Sequence, residues 1–118
     1  MFEGVFDDWP VAMQPPTHVL VDPPRPVLVD LTRAIINRDD RFRRDEVAIS
    51  VRMEGIDLSC VVRGELHGWA RSTGGGWLAA VVMTVPTGNR KGHMTIGQWC
   101  PAVAVSPLPA DSSESPDA

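Results

Sequence analysis

The spacing of hydrophobic positions changes near residue 46. Before it, Leu31, Ala34, Ile35, Arg38 and Phe42 leave one apolar stripe at helical intervals, which predicts a helix over 31–44. Asp30 stands where its carboxylate can accept from the first free amides. Arg33, Asn37, Arg41 and Arg44 fall on the opposite side, and Asp39-Asp40 is a point at which the helix can divide. Beyond residue 46 the period is two. Val47, Ile49, Val51 and Met53 alternate with smaller or polar residues, Glu54-Gly55 reads as a hairpin turn, and Ile56, Leu58, Cys60 and Val62 continue the apolar face on a return strand. A third strand is expected over 65–71, and Gly74-Gly75-Gly76 makes a flexible turn. The run 77–85 is apolar almost throughout, the pattern of a strand buried on both faces. A polar tip at 86–92 and a last strand at 94–100 follow.

Proline marks the edges of this pattern. Pro10, Pro15, Pro16, Pro23, Pro24 and Pro26 each lack a backbone donor and turn the preceding residue away from helix, so residues 1–26 read as an extended, acidic, proline-rich arm. Within and just beyond it, Val19-Leu20-Val21-Asp22 recurs as Val27-Leu28-Val29-Asp30, which allows two short strands joined by Pro23-Pro24-Arg25-Pro26. Residues 109–118 hold Ser, Pro and acids and read as a disordered acidic tail. The folded domain is expected over 27–108. Its fold class is α+β, mainly β: one helix, then about five antiparallel strands forming a small curled sheet or barrel.

The residues Gly76, Trp77, Ala79, Gly92, Pro101 and Val105 carry a family likeness. Over residues 64–108 the chain resembles the second half of a Src-homology-3-like barrel. In that family a turn leads into Gly-Trp-x-Ala, a hairpin follows, and Pro-x-x-x-Val closes the barrel with a short helical turn. The separation of Trp77 from Pro101 is longer than the family pattern. The chain also has no tyrosine, whereas the family's proline-binding groove is lined by aromatics with tyrosine prominent. The resemblance therefore implies barrel architecture more than proline-ligand binding.

Composition narrows the class. The chain has 118 residues, 43% of them hydrophobic, enough for one domain with a modest core. It lacks an apolar run long enough to span a membrane, and its acidic start has no secretory pattern, so a cytoplasmic location is expected. Two cysteines are too few for a disulfide framework. The net charge of −4 is unevenly spread. Residues 1–24 carry four acids and no base, residues 111–118 three acids and no base, and the segment between them is mildly basic.

No motif for chemistry emerges. Cys60, Cys100, His67 and His93 are metal-ligand types without ligand spacing. Ser50, Ser59 and Cys100 lack a nucleophile elbow, and the glycine run is followed by no Lys-Ser/Thr. The reading is non-enzymatic, with no cofactor and no metal. The expected activity is binding of another protein, through Phe2, Phe6 and Trp9 of the arm and through Trp69 and Trp99 of the strands. By simple alternation Trp69 shares a polar face with Glu65, His67 and Arg71, while Trp99 is out of phase with Met94, Ile96 and Cys100. Three large aromatics within nine residues are costly to leave in water, so either the chain's own barrel or a partner covers them. The alternative is nucleic-acid binding through Arg38, Arg41, Arg43, Arg44, Arg90 and Lys91. The close-set Asp39, Asp40, Asp45 and Glu46 weaken such a field.

Overall fold

The structure is a computed structural model that describes residues 1–36 and 47–108. It is mainly β. Strand β1 is His18–Asp30, β2 Val61–Arg71, β3 Trp77–Pro86, β4 His93–Pro101 and β5 Val105–Pro107. They form one curled antiparallel sheet in the order β4-β3-β2-β1-β5. Helix α1 is Leu31–Ala34, helix α2 is Ile49–Glu54, and a 3-10 turn at Ala102–Ala104 joins β4 to β5.

The strands expected at 65–71, 77–85 and 94–100 form as β2, β3 and β4, whereas the separate return strand expected over 56–62 does not form, its last two residues opening β2 instead, and β5 was not expected. β3 is the most apolar run and lies between β2 and β4, so its backbone is paired on both sides. Ala79, Ala80 and Val81 are fully buried, which means both faces of β3 are covered at this level. The core lies on one face, made by Val27, Val29, Leu66, Ala79, Val81, Met83, Val85 and Cys100, and is closed at one end by Leu31, Ala34 and Ala104. Each fully buried aliphatic side chain there contributes about 1.5–3 kcal/mol relative to exposure.

Three expectations before residue 61 are corrected. First, the boundary expected at residue 26 between arm and domain does not hold: 18–26 is the first part of β1, one strand that runs on through residue 30 instead of two short ones. Both Val-Leu-Val-Asp copies lie in this one strand. The prolines are tolerated because pairing with β2 shifts register between Leu20 and Arg25, and because β5 faces only Val27–Val29, which leaves the earlier part of β1 at an edge.

Second, α1 ends at Ala34, and Ile35 is already extended. Asp30 caps it as expected, its Oδ1 accepting from the Thr32 amide (3.0 Å) and hydroxyl (2.6 Å). The β-branched pair Ile35-Ile36 disfavours continuation. The remainder of the expected helix, 37–44, lies outside the described residues, as does the tail 109–118.

Third, Ile49–Glu54 is a helix rather than a strand, and Glu54-Gly55 ends it rather than turning a hairpin. Ile56 makes one isolated bridge, to Thr87. A hairpin strand over Ile49, Val51 and Met53 would have to pair beside β2, and β1 already occupies that side. All three side chains are exposed.

Candidate functional site

One residue sets the geometry of the sheet's second face. In β2, Leu66 pairs with Val81 and Gly68 pairs with Ala80, so His67 is an extra residue in the ladder. Such a bulge resets the side-chain phase of everything after it. Leu66 and Trp69 therefore both face the core, where Trp69 packs against the buried cluster. His67 faces the other way. The expectation that Trp69 shares a face with His67 is overturned by this single insertion.

The outer face opposite the core is built from small residues. Register places Gly68, Ala80 and Trp99 in one row across β2, β3 and β4, and Glu65, Val82 and Gly97 in the next. Glycine inside a strand permits close approach of another group. A Cβ on Gly68 would stand 3.0 Å from Phe6 Cε2 and 3.0 Å from the Val19 carbonyl oxygen. A Cβ on Gly97 would collide with the Met1 sulfur and stand 3.4 Å from Phe2 Cε2.

The segment 1–9 occupies these slots. It winds through successive turns, with Val5 N donating to Phe2 O (3.2 Å), Asp7 N to Gly4 O (3.0 Å) and Trp9 N to Phe6 O (3.0 Å). Gly4 adopts φ +66°, a left-handed conformation that disfavours other residues. The turns bring the rings to one side. Phe2 lies 5.5 Å from His67 and 5.9 Å from Trp99, centroid to centroid. Phe6 lies 4.6 Å from His18, 5.2 Å from Trp9 and 6.3 Å from Trp99. Trp9 reaches His18 at 5.6 Å and donates from Nε1 to Thr17 Oγ1 at 2.9 Å. These are edge and tilted contacts, the arrangements aromatic quadrupoles favour. His18 Nδ1 and His67 Nε2 are buried among the rings and have no hydrogen-bond partner among the described residues. Glu3, Asp7 and Asp8 face solvent.

Phe2, Phe6, Trp9 and Trp99 are thus brought together, and Trp69 is separated from them by the thickness of the sheet. Sequence reasoning missed His18, Gly68, Ala80 and Gly97. The two glycines within β-patterned runs were the available signal. Past the segment 1–9 the outer face continues as a shallow groove lined by Pro24, Pro26, Arg63, Glu65, Val82 and Thr84.

The basic residues behave differently. Arg90 pairs with Asp57 (Nη2 to Oδ2, 2.9 Å) and donates from Nη1 to the Thr87 carbonyl (2.8 Å), at φ +64°. It ties the β3–β4 tip to the loop after α2. Lys91 is exposed beside it. Arg38, Arg41, Arg43 and Arg44 lie outside the described residues. Asp57 is held below the ordinary carboxylate range, chiefly by the Ser59 hydroxyl and then by the Ser59 amide. Burial pushes the Cys100 thiol up. Among the described residues no three His, Cys, Asp or Glu side chains converge to hold a metal ion, and no helix is long and apolar enough to cross a membrane.

No family model matches the chain, and neither a curated protein nor a solved structure matches it.

Proposed function

We propose that this chain is a non-enzymatic protein-interaction or assembly module that works in a reducing, cytoplasmic setting and engages a partner protein through the outer face of its sheet. One observation carries the reading: Phe2, Phe6, Trp9 and Trp99 gather on the face that the core does not use. A small domain already has its core on the inner side of the sheet, and indole and phenyl groups concentrated on the other side are the composition of a contact surface. Leu78 and Val82 extend that surface beyond the segment 1–9, and Leu78 is 37% exposed.

The architecture supports a Src-homology-3-like half-barrel. Its five strands run in the order β4-β3-β2-β1-β5, and a 3-10 turn lies between Pro101 and Val105, where the Pro-x-x-x-Val likeness calls for one. The aromatic surface differs from a proline-binding groove in having no tyrosine and in being lined by the chain's own first residues.

The test is capture of partners by the full chain and by its Val82→Glu variant, with fold checked by circular dichroism. A charge at the centre of the open face is expected to abolish specific capture while the sheet stays intact. Unchanged capture by a folded Val82→Glu chain refutes the assignment of this face.

A further inference from the structure

The segment 1–9 is seated on the sheet by side chains alone. Its three backbone hydrogen bonds are internal, and among the described residues none runs from it to a strand. The connection that follows, 10–16, is exposed at every position and makes no backbone hydrogen bond among the described residues. It contains Pro10, Pro15 and Pro16, which stiffen it. The tip of the segment, Met1 and Phe2, lies over Gly97 on β4, the strand at the open edge of the sheet. The receptor is therefore open at the rim, and among the described residues no backbone hydrogen bond ties its occupant to the sheet, only the connection 10–16.

We propose that the outer face is a binding site for the segment 1–9 of a second copy of this chain, so that copies assemble by exchanging these segments. The inference rests on the reading of the outer face as a contact surface and names its occupant. The complementarity is already demonstrated within one copy: Phe6 against Gly68, Phe2 against Gly97, and Phe2 and Phe6 edge-on to Trp99. Exchange of an identical element needs no new contact to evolve. Within one copy the tethered segment competes at an effective concentration on the order of millimolar. Self-association of the unmodified chain is therefore weak and grows with concentration, whereas copies relieved of that competition associate readily.

The decisive experiment mixes two full-length variants. Phe2→Ala/Phe6→Ala/Trp9→Ala has a vacant groove and no functional segment. Gly68→Val has a free segment and a blocked groove, and Gly97→Leu blocks the groove independently in case Gly68→Val disturbs the β1 contact. Each is expected to run as a monomer by light scattering. Their mixture is expected to form a one-to-one heterodimer at concentrations at least about tenfold below those at which the unmodified chain self-associates. Two folded monomer populations that stay separate on mixing, with either groove-blocking variant, overturn the proposal. That result leaves the Val82→Glu capture experiment unaffected, so the two readings fail separately.

Discussion

Truncating two tryptophans separates the faces of the sheet energetically. Trp69 packs against the buried cluster, whereas Trp99 is covered on the outer face by Phe2 and Phe6. An indole offers roughly 200 Å² of surface, and with most of it covered the transfer contribution at about 25 cal/mol per Å² comes to about 3–4 kcal/mol. Trp69→Ala should lose about that amount, because the sheet cannot close over the space without moving Leu66 and Ala79. Trp99→Ala is bounded differently. Its cover can lift away, so the loss cannot much exceed what docking of the segment contributes. Two edge-on ring pairs at about 0.5–1.5 kcal/mol each give about 1–3 kcal/mol. Urea unfolding followed by far-ultraviolet circular dichroism reads both values without relying on the indoles themselves. Equal losses, or a larger loss for Trp99→Ala, would refute the phase reset at His67 and with it the assignment of an inner and an outer face.

Two further predictions concern titrating groups. The Ser59 hydroxyl (2.5 Å) and amide (2.9 Å) favour the charged form of Asp57, so its folded pKa lies below its unfolded one. The stabilisation is full above the usual carboxylate range and is lost as pH falls through the lowered folded value, so Asp57→Asn should flatten the acid limb of a stability–pH curve below about pH 4; an unchanged acid limb counts against it. The thiols should also separate. Cys100 is fully buried and its pKa is raised by that burial, while Cys60 is partly exposed. An aromatic disulfide reagent should modify one thiol per folded chain and the second only on unfolding, and rapid modification of both would place Cys100 outside the core.

The part of the fold that could be read from the chain is the part where period and burial agree. From residue 61 the alternation of Val81, Met83 and Val85 against Cys100 and Ile96 is the actual inner face. The Asp30 cap was readable for the same local reason: a short carboxylate before a helical start has one evident use. Ile49, Val51 and Met53 misled because alternation records which faces a strand would have, and not whether an edge remains to receive it. Pro23, Pro24 and Pro26 misled in the opposite direction. They forbid a donor, but β1 at that point is an edge that needs none. The face of Trp69 was hidden for a subtler reason. A one-residue bulge leaves no compositional mark, yet it inverts every inference made by counting in twos. For the candidate site, the aromatics were legible as residues that need cover. The cover itself was not, because Gly68, Ala80 and Gly97 become a receptor only when three strands align them.

The pairing of β1 with β5 has a kinetic corollary. Val27 and Val29, both buried, have β2 on one side and residues 105–107 on the other, so neither flank of this strand is supplied by nearby chain. Loop closure over such distances comes before its reward, and sheets joined this way fold in roughly milliseconds to seconds rather than microseconds. Until β5 arrives, a Val-rich edge stands open during synthesis, and a translating ribosome would carry it unprotected for most of the chain's length.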